Sequence, residues 1–126
     1  MTPAAFRKLA LSMPGAYEAP HFNRTAFRTK KKIFATMSQD GQQVMIPVLP
    51  VELCYAMLKQ EPDVFIDHGG FTRAFGSLGM WLSKVKLALV EPMMRAAWER
   101  ASPPVKPPRR APGPPRKRRG LKKWAL

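Results

Sequence analysis

The sequence predicts an α+β fold: an antiparallel β-meander sheet packed by N-terminal, middle and C-terminal helices. Three observations carry this. Apolar residues recur at helical spacing in three separated segments. Three short strand-like runs follow one another through tight turn signals. The resulting order is helix, three strands, helix, strands, helix.

Thr2-Pro3 reads as an N-cap followed by proline at the first helical position. Phe6, Leu9, Ala10 and Met13 then share one face of a helix that stops near Pro14-Gly15. Residues 15–23 read as a loop. Arg24–Thr29 and Ile33–Ser38 read as strands, with Lys30-Lys31-Lys32 at the turn between them. Asp40-Gly41 signals a second hairpin turn, and Gln42–Pro47 follows as a third strand. Pro50 opens a helix over Val51–Gln60 with Leu53, Cys54, Met57 and Leu58 as its stripe. Glu61-Pro62 ends it, since a residue before proline avoids the α region. Val64-Phe65-Ile66 is a short strand, and the glycine-rich run 67–79 reads as loop. Met80–Val85 is expected as a further strand. Pro92 is expected to start the last helix, with Met94, Ala97, Trp98 and Ala101 on one side.

Charge divides the 126-residue chain in two. Residues 1–100 hold 13 Lys/Arg against 8 Asp/Glu, whereas residues 101–126 hold 9 Lys/Arg and no acid. Half of the 14 prolines also fall in that last segment. A foldable domain over residues 1–103 is therefore expected, followed by a disordered, basic, proline-rich tail over 104–126. The tail's large apolar residues, Val105, Leu121, Trp124 and Leu126, are too few to offset the entropy of ordering it. Cys54 is the only cysteine, so no intrachain disulfide forms, and a reducing, cytoplasmic setting is expected. No apolar run is long enough to span a bilayer.

Five motifs in order resemble the MmcQ/YjbR family. Phe27-Arg28 followed by Lys32-Ile33-Phe34-Ala35-Thr36 is similar to its "FRV-x-G-KIFAT" hairpin. Leu11-Ser12-Met13-Pro14-Gly15 with Glu18 and His21 resembles its "LPGVEE…H" opening. Glu61-Pro62-Asp63-Val64-Phe65 resembles its "DPEVF" segment, and Gly69-Gly70-Phe71 with Arg73 and Gly76 its "GGW-x-R-x-G" loop. Ala97-Trp98 and Ser102-Pro103 resemble its "AW…AP" ending. The resemblance covers about residues 5–103. It implies a CyaY-like fold and the family's usual label, a DNA-binding protein. Three positions depart from the pattern: Lys31 stands where glycine is common, Pro47 where many relatives carry a basic residue, and the last helix reads about one turn short. The tail has no counterpart. The CyaY-like architecture also raises iron binding, but the first helix carries Arg7 and Lys8 and no acid, which a hard cation would need.

Three groups of cations point to nucleic acid, with DNA favoured over RNA. In the tail, Arg109, Arg110, Arg116, Lys117, Arg118, Arg119, Lys122 and Lys123 alternate with prolines that hold the chain extended, and Trp124 offers a stacking surface. Arg28, Lys30, Lys31 and Lys32 surround the first hairpin turn, where a basic tip can lie against phosphates. Arg73 sits in the glycine-rich loop, and Lys84 and Lys86 share a face if residues 80–86 are a strand. About six phosphate contacts predict a log–log salt slope near −5.

Catalytic signatures are missing. His21 and His68 are the only histidines, and neither has the neighbours of a metal site. Gly76-Ser77-Leu78-Gly79 is not a nucleophile elbow, because Phe75 stands where glycine is required. No phosphate-binding P-loop or GxGxxG is present, and Cys54 lies on an apolar stripe as an inert thiol. The expectation is a non-catalytic, cofactor-free nucleic-acid-binding protein of low sequence specificity. The alternative is a protein-interaction adaptor with a polycationic tether to an acidic partner, using Phe71, Phe75 and Trp81. A weaker third reading is an enzyme using Glu18 or His21, which requires a pocket at those side chains.

Overall fold

The computed structural model describes residues 1–102. The expected tail, with all of its cations and Trp124, lies outside the described residues. The protein is α+β, with a six-stranded antiparallel sheet in the order β1-β2-β3-β4-β6-β5. The elements in chain order are α1 (Pro3–Leu11), β1 (Tyr17–His21), β2 (Arg24–Arg28), β3 (Ile33–Ser38), β4 (Gln43–Pro47), α2 (Val51–Gln60), β5 (Phe65–Asp67), α3 (Gly70–Phe75), β6 (Ser77–Trp81) and α4 (Leu87–Ala101). A single 3-10 turn at Leu82–Lys84 leads into α4.

Where local signals are strong, they decide the structure. Thr2 caps α1 by accepting from the Ala5 amide at 3.1 Å, and Pro3 takes the first helical position, where a missing N–H costs nothing. Asp40 binds the Ser38 hydroxyl at 2.6 Å and the Gln42 amide at 3.0 Å, and so closes the β3–β4 turn around Gly41. Those bonds hold the Asp40 carboxyl below its usual pKa.

Four expectations need correction. The segment expected as a loop contains β1, paired over its whole length with β2. Pro20 is tolerated there because β1 is an edge strand and needs no second set of ladder donors. The glycine-rich run holds α3 and the start of β6, with Gly76 closing α3 in a left-handed conformation at φ 69°. The strand expected over 80–85 is instead Ser77–Trp81, so Lys84 and Lys86 do not share a strand face. Finally, α4 starts at Leu87 rather than Pro92 and runs 15 residues. Pro92 forfeits only the bond to the Ala88 carbonyl, and both residues are exposed, so water can take that acceptor.

Register partners share a face of the sheet. Phe27, Ala35, Met37, Val44, Ile46, Leu78, Met80 and Phe65 lie on one face and are buried. This face is covered by α4, through Val90, Met94, Ala97 and Ala101, and by α1, whose Phe6 ring meets Phe27 edge-on at 5.9 Å. Trp98 of α4 donates to the Pro14 carbonyl at 2.8 Å, fixing α4 to the end of α1. The opposite face carries Arg24, Ala26, Thr36, Met45, Pro47, Ser77, Gly79 and Ile66, and holds the site described next.

Candidate functional site

A groove of about 720 Å³ lies over this second face. Its floor is sheet, including Arg24, Thr36, Met45 and Ser77; its walls are the β1–β2 turn, α3 and the end of α4. The β3–β4 ladder registers only two pairs, Thr36↔Met45 and Met37↔Val44. Ile33 of β3 and Pro47 of β4 line the groove beyond the end of that ladder. Arg100 reaches across from α4 and donates to the Pro47 carbonyl at 2.8 Å, giving that oxygen a partner.

The charge of the groove has one sign. Arg24, Lys32 and Arg100 line it, together with His21 and His68, and no carboxylate does. Arg24 is positioned by its Nε–H, which donates to Thr36 Oγ1 at 3.0 Å. Its Nη2 is buried with no hydrogen-bond partner, and so is His68 Nε2. An unpaired buried polar group costs roughly 1–3 kcal/mol, so the packing under the groove carries two such costs. Burial lowers the pKa of His68, the positive charge of Arg24 lowers it further, and Asp67 opposes both. Burial likewise lowers that of Arg24, against the pull of Asp40. His68 can lie on the sheet because Gly79 has no side chain; a Cβ there would run into the imidazole at Nε2.

The rim is aromatic. Phe22 at the β1–β2 turn is 93% exposed, and Phe71 and Phe75 of α3 are 62% and 63% exposed. Phe22 also has φ 57°, a left-handed conformation that a non-glycine side chain disfavours by about 1–2 kcal/mol.

The expected cations fall into separate places. Arg28, Lys30, Lys31 and Lys32 do cluster at the β2–β3 turn, and that turn is built on Thr29. The Thr29 hydroxyl accepts from the Lys31 and Lys32 amides at 3.2 and 3.3 Å and donates to the Ala101 carbonyl at 2.6 Å. Thr29 is buried, whereas the three lysines are exposed. The turn therefore sits against the C-terminus of α4 at Ala101. Arg73 is exposed on α3 at the same end of the sheet, outside the groove lining. Lys84 and Lys86 follow Trp81, which pairs with Gln43, and so lie at the opposite end of the sheet from the lysine turn. Lys84 is occupied there, its Nζ donating to the Asp63 carbonyl at 3.0 Å. Arg24 and Arg100 were missed in the sequence because each sits in an element assigned by its apolar neighbours.

Of the two residues of the enzyme reading, His21 lines the groove and packs edge-on against Phe22 at 4.7 Å, while Glu18 lies outside that lining in an exposed ion pair with Arg7 at 3.0 Å. Among the described residues no three His, Cys, Asp or Glu side chains converge on a metal position. Cys54 is buried, with Sγ at 3.1 Å from the Val48 carbonyl and 3.2 Å from that of Gly76. Burial raises its pKa, which suppresses the thiolate. No described helix is long and apolar enough to cross a membrane.

The fold and groove define an α+β protein with a groove lined by cations and by no carboxylate. Among solved structures it is similar to Deinococcus radiodurans protein DR2400, a DUF419 domain: the TM-score is 0.62 at 18% identity, over 76% of this chain and 75% of that one. That likeness establishes the shared fold. No family model matches the chain, and no curated protein does.

Proposed function

We propose that this protein binds nucleic acid with low sequence specificity, by neutralising its phosphate backbone and without catalysis. The observation that carries the reading is the placement of the lysine turn. Lys30, Lys31 and Lys32 project from a turn that Thr29 ties to Ala101, next to the point where the cation-rich sequence after Ser102 begins. The lysine turn and the last described residues of α4 thus share one corner of the domain. Arg24, Arg100 and Lys32 carry positive charge from that corner across the groove. Such a surface attracts any polyanion, and backbone contacts alone carry no base information. The MmcQ/YjbR resemblance supports the same reading, and the single, free, buried cysteine fits a reducing compartment such as the cytoplasm.

The adaptor reading retains one observation in its favour, the exposed Phe71 and Phe75. One experiment separates the two. Anisotropy titrations of labelled DNA and RNA with the full chain are run across a salt series. The log–log slope is expected at about −4 to −5 for roughly six contacts. Lys30→Gln, Lys31→Gln and Lys32→Gln together reduce it by roughly 2 to 3 and weaken all sequences alike. Absence of binding at low salt refutes the proposal and leaves the adaptor reading in its place.

A further inference from the structure

Apart from an edge-on contact of its ring with His21 at 4.7 Å, Phe22 has no aromatic partner among the described residues. It is 93% exposed, so it contributes nothing to the core. Its φ of 57° belongs to glycine or asparagine at a turn, not to a bulky aromatic. Strained, exposed residues of this kind concentrate at binding sites, where the side chain rather than the backbone sets the choice. Its ring stands at one wall of the groove, and Phe71 and Phe75 stand at another. The surface between them carries three cations and no carboxylate.

From these observations we infer that the groove holds an unpaired, single-stranded stretch of nucleic acid, with Phe22 stacking on a base. The inference rests on the nucleic-acid reading and names the form of the ligand. Single strands are bound by aromatic platforms interleaved with cations that track the backbone, and this groove has both. Its cations are spread along it: Arg24 lies at the end of β2 nearest Phe22, while Lys32 and Arg100 lie at the far end. Arg24, whose Nε–H is already committed to Thr36 Oγ1, brings its guanidinium charge to the groove floor, where phosphate oxygens can meet it. A duplex has no base face to offer Phe22, because its bases are stacked on each other.

The test uses the full chain with labelled oligothymidylate, oligouridylate and the duplex of oligothymidylate with oligoadenylate, at a salt concentration that screens most of the charge attraction. Both single strands are expected to bind more tightly than the duplex. Phe22→Gly is expected to weaken single strands about 5- to 100-fold, the range of one base–aromatic stack, and to leave the duplex unchanged. Because glycine suits the left-handed backbone, the same variant should not lower the urea midpoint, which separates a binding role from a structural one. In Phe22→Trp, the added indole should be quenched by the single strands and not by the duplex. Equal binding of single strands and duplex, insensitive to Phe22→Gly, overturns this inference while the nucleic-acid reading stands. Displacement of the single strand by polyglutamate from both parent and Phe22→Gly with equal ease overturns it as well, since charge alone would then account for binding. Failure of every oligonucleotide to bind overturns both.

Discussion

Replacing Thr29 with valine removes one hydroxyl and almost no volume, and it should loosen the corner on which the proposed interface is built. That hydroxyl donates at 2.6 Å to the carbonyl of Ala101, the last residue of α4. A helix leaves its final carbonyls without intrahelical partners, and Ala101 is buried, so water cannot easily replace the donor. Loss of a hydrogen bond that strands a buried acceptor costs roughly 1–3 kcal/mol. The two turn amides, Lys31 N and Lys32 N, also lose their acceptor, but they belong to exposed residues and water can substitute. The expected destabilisation is therefore about 2 kcal/mol, most of it from the helix terminus. In a domain of about 100 residues that lowers Tm by roughly 8–16 °C. Urea unfolding followed by far-ultraviolet circular dichroism should show the midpoint fall with an unchanged slope. Thr29→Ser keeps the hydroxyl and should recover most of the loss. A change below about 0.5 kcal/mol for Thr29→Val, or equal changes for valine and serine, would refute the capping argument.

Two further outcomes follow from the site and its supports. Gly76→Ala places a Cβ in a left-handed residue and against the Val48 carbonyl, so it should cost about 2–4 kcal/mol; Gly15→Ala, left-handed but in open space, should cost only about 1, and equal midpoints for the two would show that the close approach is not real. His68 has a depressed folded-state pKa, so its unfolded form binds the proton more readily: its contribution to stability is full above the ordinary value of 6.5 and is lost as pH falls. Imidazole resonances followed by NMR should place it below that value, with Arg24→Gln moving it up, and His68→Gln should flatten the fall in stability on acidification; a titration at or above the ordinary value would contradict the burial and charge argument.

The elements legible in the sequence are those whose reasons are local. Thr2-Pro3, Asp40-Gly41 and the stripe around Cys54 each state a cap, a turn or a buried face within a few residues, and α1, the β3–β4 hairpin and α2 follow. β1 was hidden because nothing in Tyr17–His21 favours a strand over a loop, with Glu18 and Pro20 inside it. Its conformation comes from pairing with β2. Pro92 misplaced the start of α4, because a local rule about proline competed with the buried series Val90, Met94, Ala97 and Ala101 and lost. Of the candidate site, the lysine turn, Phe71, Phe75 and His21 were legible, but not that they share one groove. Arg24 and Arg100 come to the same groove, at its two ends, only through contacts distant in sequence, and the space that seats His68 depends on Gly79, a residue the sequence shows only as one glycine among several. Phe22 is the sharpest case. Composition marks it as an aromatic in a polar turn, and only the backbone shows that the turn would be better served by glycine. The frame is consistent across levels, from caps to core. The inconsistencies, a strained phenylalanine and two unpaired nitrogens, gather in one groove. A sequence under no demand at that groove would have no reason to keep them there.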